Sequence, residues 1–165
     1  MKEIVIAGGC FWGVEAYFRR LKGIEHTQVG YSQGMKDMTD YKEVCRGEFD
    51  FVEVCKIEYD ETVVGLLEII THMFRFIDPT ILNRQGADVG VQYRTGVYTT
   101  SEDESREVKA ILKNLQERYV KPIVVEVERV RNFVKAENYH QEYLEKNPNG
   151  YCHVDLRLLK EFERK

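Results

Sequence analysis

The chain has 165 residues, 43% hydrophobic and 32% charged, with a formal net charge of −4. This length and composition suit one globular domain with a real core, expected over residues 1–165, its less regular tail beginning near residue 146. The acidic balance argues against a nucleic-acid partner, and no apolar run approaches bilayer thickness, so no membrane partner is expected either. The four cysteines, Cys10, Cys45, Cys55 and Cys152, form no C-x-x-C pair, and the four histidines do not cluster at ligand spacing. No metal or other cofactor is therefore expected. The N-terminal segment lacks a signal-peptide apolar region, which points to a reducing cytoplasmic location, and a monomer is expected. There the thiols rest reduced, and any disulfide belongs to a cycle.

In chain order, Ile4–Ala7 is β-branched and short and reads as a buried strand. Phe11, Val14, Phe18 and Leu21 fall on one stripe of a helix predicted over Phe11–Lys22. Glu25–Tyr31 and Phe51–Tyr59 alternate as strands, with a polar stretch between them and a short helical turn near Tyr41–Cys45. Val63–Phe76 has helical periodicity, Asp78–Gly90 is a long polar loop, and Val91–Thr99 reads as a strand. Ser101 and Glu104 form a capping-box pattern for a helix reaching Arg118. A strand at Ile123–Val130, a short helix at Ala136–Leu144 and an irregular tail complete the chain. The fold class that follows is α+β, a two-layer sandwich with a mixed sheet and a ferredoxin-like core of split β-α-β units.

Cys10 is the first chemical signal. It follows a strand and two glycines and opens a helix, where unpaired N–H groups and the helix dipole favour a thiolate of lowered pKa. Trp12 lies off the apolar stripe beside Glu15, Ala16 and Arg19, as a pocket wall or a cap on the core edge. Glu53 sits between Val52 and Val54; in a dry cleft its carboxyl would stay protonated and serve as a general acid, and on an open sheet it would be an ordinary solvated charge. Tyr41 and Tyr93 carry phenols able to hold a polar oxygen. Cys152, in a mobile tail, or Cys45 would resolve an oxidised Cys10, whereas Cys55 reads as structural. Pairing Cys10 with His140 as base would instead make a cysteine hydrolase.

Several motifs in register resemble one family. Gly8-Gly9-Cys10-Phe11-Trp12-Gly13-Val14-Glu15, Tyr41–Cys45, Asp78-Pro79-Thr80, Asn83–Gly86, Gln92-Tyr93-Arg94, Tyr139-His140-Gln141 and Asn147–Cys152 are together similar to the A-type peptide methionine sulfoxide reductases. The resemblance implies reduction of the S epimer of methionine sulfoxide, protein-bound or free, repairing oxidised proteins and peptides. It gives Cys10 the attack on sulfur, Glu53 the proton, Tyr41 and Tyr93 the oxygen, Phe11 and Trp12 the substrate methyl, and Asp88 the substrate backbone. It also implies a Cys10 sulfenic acid, a Cys10–Cys152 disulfide, and thioredoxin or a similar dithiol as reductant. The sequence departs from the family at Phe49–Val52, where a Thr-Gly-His-Ala stretch is usual, and at Gln33 and Ile81, where glycine and glutamine are usual.

Overall fold

Alternating apolar residues build the centre of the sheet. In the computed structural model, which describes residues 1–165, Ile4 and Ile6 of β1 (Lys2–Gly8) face one side and Val5 and Ala7 the other. The first side packs against α1 (Phe11–Arg19), α3 (Leu66–Phe76) and α4 (Glu102–Leu115) in a cluster of 29 buried residues. The second holds five, covered by Val130 and Phe133. At ~1.5–3 kcal/mol for each large apolar side chain buried, the helical side dominates the core.

The central strands are β1, β2 (Ile24–Ser32), β3 (Val52–Tyr59) and β6 (Thr95–Thr99). β3 pairs antiparallel with both β1 and β2, and β1 pairs antiparallel with β6. β1 and β2 are thus parallel with β3 between them, and β3 and β6 are parallel with β1 between them. These are two interlocked split β-α-β units, the ferredoxin-like core. β7 (Glu126–Arg129) adds in parallel to β6, and β8 (Val134–Lys135) adds to β2, which makes the sheet mixed. No helix is long and apolar enough to cross a membrane.

Local chemistry differs from expectation where tertiary contacts intervene. α2 (Tyr41–Arg46) is capped by Asp40, which accepts from Glu43 N at 2.8 Å, and ends at Gly47 in the left-handed region. Ser101 caps α4, but Glu104 bonds Thr100 N rather than the Ser101 N–H a capping box needs. The polar loop after α3 holds a hairpin, β4 (Arg84–Gln85) and β5 (Asp88–Val89), turned at Gly86 with φ +61. Gln85 pins it by bonding both Asp78 N and Asp78 O at 2.9 Å. The strand predicted from Val91 begins only at Thr95, because Val91–Tyr93 winds into a 3₁₀ turn. The helix predicted over Ala136–Leu144 is a 3₁₀ turn, Asn138–His140, and α5 (Tyr143–Lys146), broken at Glu142 with φ +52. Gln33 takes φ +67, which explains why glycine suits that position, and its side chain bonds Glu128, Arg129 O and Arg131 N.

Candidate active site

The strand–turn–helix at the N-terminus positions Cys10. β1 ends at Gly8, Gly9 turns with φ +90, and Cys10 is the N-cap of α1. The Trp12 backbone N–H lies near its sulfur and favours the thiolate. The expectation of a lowered pKa is overturned. Burial pushes the Cys10 thiol well up, the Glu53 charge adds to this, and the Trp12 N–H offsets only part. The resting thiol is therefore protonated.

Glu53 shares the helical face of β3 with Cys55 and Ile57, as a period of two requires, so its carboxyl lies under the start of α1. It is 2% exposed and accepts from Phe11 N at 3.2 Å. Burial outweighs that bond and pushes the carboxyl up to about 8, with Asp88 contributing, so Glu53 is chiefly protonated at neutral pH. Of the two readings open to the sequence, the dry cleft is the one observed. Tyr41 from α2 and Tyr93 from the 3₁₀ turn are both pushed up by burial and remain hydroxyl donors.

These groups meet in one cleft of about 120 Å³. Cys10, Phe11 and Trp12 come from the start of α1, Tyr41 from α2 and Glu53 from β3. Asp88 comes from β5, Tyr93 from the 3₁₀ turn after it, and Tyr151 from the tail. Larger surface hollows beside Pro79 and along α4 contain no cysteine. Cys152 lies outside the cleft. Its thiol donates to Val154 O at 3.1 Å, and a Cβ added at Gly13 would stand 3.2 Å from its sulfur, placing it about one helical turn from Cys10. All four cysteines are free.

Several supporting residues were not assigned roles from sequence. Tyr151 donates to Asp88 Oδ2 at 2.9 Å across the cleft mouth. Trp12 stacks on Tyr143 with ring centroids 3.7 Å apart, and its indole N–H donates to His140 Nδ1 at 3.0 Å. That bond commits His140 to Trp12 and argues against a Cys10–His140 hydrolase pair. The face of α1 beside Trp12 is not solvated either: Glu15 is 1% exposed and accepts from Thr27 Oγ1 at 2.8 Å and Glu142 N at 2.7 Å. The one sequence sign at this place was Tyr139-His140-Gln141, among the motifs that carry the resemblance. None of Phe49–Val52 lines the cleft; Phe51 fills the core and Lys36 covers the Phe49 ring.

Residues 2–165 match the family model described as peptide methionine sulfoxide reductase. The chain belongs to this family. The peptide methionine sulfoxide reductase MsrA of Clostridium tetani is 51% identical over 156 residues, covering 94% of this chain and 95% of that protein. The crystal structure of reduced Mxr1 from Saccharomyces cerevisiae superposes with a TM-score of 0.86 at 39% identity, over 94% of this chain and 92% of that one. Mxr1 in complex with Trx2 superposes at 0.60 and 26% identity, covering 86% and 84%. As a peptide methionine sulfoxide reductase the chain is an oxidoreductase that reduces methionine sulfoxide.

Proposed function

We propose that the chain reduces the S epimer of methionine sulfoxide in oxidised proteins and peptides, by a thiol cycle centred on Cys10. The observation that carries this reading is the neutral, buried carboxyl of Glu53 in the same small cleft as the Cys10 thiol. A sulfoxide has a positive sulfur and a negative oxygen. With the sulfur at Cys10 and the oxygen at Glu53, Tyr41 and Tyr93, the positive end favours loss of the thiol proton and the negative end accepts protons. The Cys10 sulfur attacks the substrate sulfur as its own proton and that of Glu53 pass to the oxygen, and the S–O bond breaks with release of water. Water then attacks the Cys10 sulfur, the new S–S bond breaks, methionine leaves reduced, Glu53 takes back a proton, and Cys10 is left oxidised as the sulfenic acid. Phe11 and Trp12 enclose the methyl group, and Asp88 with Tyr151 meets the substrate backbone. Methyl pocket and oxygen donors on different walls select one epimer.

Cys152 then attacks the Cys10 sulfur, water leaves, and a dithiol such as thioredoxin reduces the disulfide. The Trx2 complex of the yeast relative supports that reductant. Single turnover without reductant tests the scheme. The S-sulfoxide peptide should release one methionine per chain and leave a Cys10–Cys152 disulfide by mass spectrometry. Cys10→Ser should release none. Turnover of the R epimer, or activity in Cys10→Ser, would sink the proposal, and a Cys10–Cys45 bond would reassign the resolving thiol.

A further inference from the structure

His153, the residue after Cys152, is used by none of the steps above, yet its ring lies on the turn that holds Cys10. Its Nε2 is 2.8 Å from Gly8 O. A carbonyl oxygen only accepts, so Nε2 carries the proton, and in the neutral ring Nδ1 is the free lone pair. That Nδ1 is buried without a hydrogen-bond partner. The ring fits because glycines lie beneath it: a Cβ on Gly9 would stand 3.0 Å from Nε2, and one on Gly13 would stand 3.1 Å from Nδ1 and 3.2 Å from Cys152 Sγ. Residue 13, having no side chain, lets the basic nitrogen, the resolving sulfur and Val154 Cγ2 (2.9 Å from such a Cβ) crowd onto one spot of α1. Phe76 packs edge-on against the ring.

We infer that His153 is the general base and acid of the resolving step, with Gly8 O fixing its tautomer and Gly13 letting its ring and the Cys152 sulfur close on the same spot of α1. The inference rests on Cys152 being the resolving thiol. Nδ1 takes the Cys152 proton, and the thiolate attacks Cys10 Sγ. The S–S bond forms as the S–O bond breaks. The departing hydroxide takes the proton from the imidazolium and leaves as water. Cys152 sulfur is oxidised, the sulfenic sulfur is reduced, and His153 returns neutral. Burial holds the ring below the ordinary imidazole value of 6.5, ready to accept a proton at neutral pH. The titratable groups around it are Asp88, whose charge opposes that shift, and Cys152 in its own segment.

The test uses His153→Gln, whose amide can still donate to Gly8 O but cannot act as a base. After one turnover on S-sulfoxide peptide without reductant, quenching and mass spectrometry give the rate of methionine release and of Cys10–Cys152 disulfide formation. The ratio of disulfide formation to methionine release should fall about 10²-fold in the variant. In the parent chain, which needs no substitution, the disulfide rate should be flat above the imidazole range and fall below 6.5. A parental ratio in the folded variant, or a parent rate that climbs steadily towards the ordinary thiol value of 9.0, overturns the role of His153. No Cys10–Cys152 disulfide in the parent chain overturns the underlying assignment instead.

Discussion

Water reaches Glu53 and Cys10 only sparingly, at 2% and 8% of full exposure. The same desolvation keeps a carboxyl neutral and a thiol protonated. A general acid works only while protonated. Methionine release should therefore decline as pH rises through about 8, read by stopped single turnovers across pH. Glu53→Gln should abolish that limb and slow release by ~10²–10⁴-fold. The pair Val52–Val54 made Glu53 a candidate, but its state followed from α1 lying over it, which no local pattern encodes. Cys10 shows the converse. The helix start was legible in Gly8-Gly9-Cys10, while the burial that opposes a thiolate, and the Glu53 carboxyl that adds to it once ionised, come from elements such as β3, 43 positions away.

At the level of elements, the tail is anchored where mobility was expected. Glu163 makes a paired contact with Arg75 on α3 at 2.7 and 2.8 Å, and His72 stands 3.5 Å from it. Lys22 Nζ bonds Phe162 O and Lys165 N bonds Arg20 O, tying the last residues to the end of α1. The Arg75 bonds push the Glu163 carboxyl down to about 2. Its stabilising contribution is present above the ordinary value of 4.5 and disappears as pH falls from there through about 2. Glu163→Gln should cost about 2 kcal/mol at neutral pH and nothing below the folded value, measured by denaturant unfolding at the two pH values. Strands showed a related limit. Ile123–Val130 is apolar and alternating, but β6 offers partners only from Gly96 to Thr99, so pairing is confined to Glu126–Arg129. Length there was decided by the neighbour, as it was for α5, where Glu15 holds the left-handed Glu142 backbone.

Across the whole molecule, a six-stranded sheet supplies a fixed floor and the segment Asn147–Cys152 supplies the moving part of the proposed cycle. That segment is held at one end by buried Leu144 and at the other by buried Val154 and the Glu163 anchor, with Tyr151 resting on Asp88 between. Formation of the Cys10–Cys152 bond should raise amide hydrogen exchange in Asn147–Cys152 and leave β1, β3 and the 155–165 anchor protected. Comparison of reduced and oxidised protein by mass spectrometry reads this directly, and loss of protection throughout the tail would contradict it. By itself the sequence determined the α+β class, the central strands and long helices, and, apart from Tyr151, the residues brought into the cleft. Period-two and helical patterns, Gly-Gly punctuation and spaced motifs are local properties that survive without coordinates. Only the tertiary structure decided the protonation of Cys10 and Glu53, the support of Trp12 by His140 and Tyr143, and the seat of His153 on two glycines. Burial, hydrogen-bond partners and desolvation belong to groups far apart in the chain, and they exist only once the sheet and its helices have closed on one another.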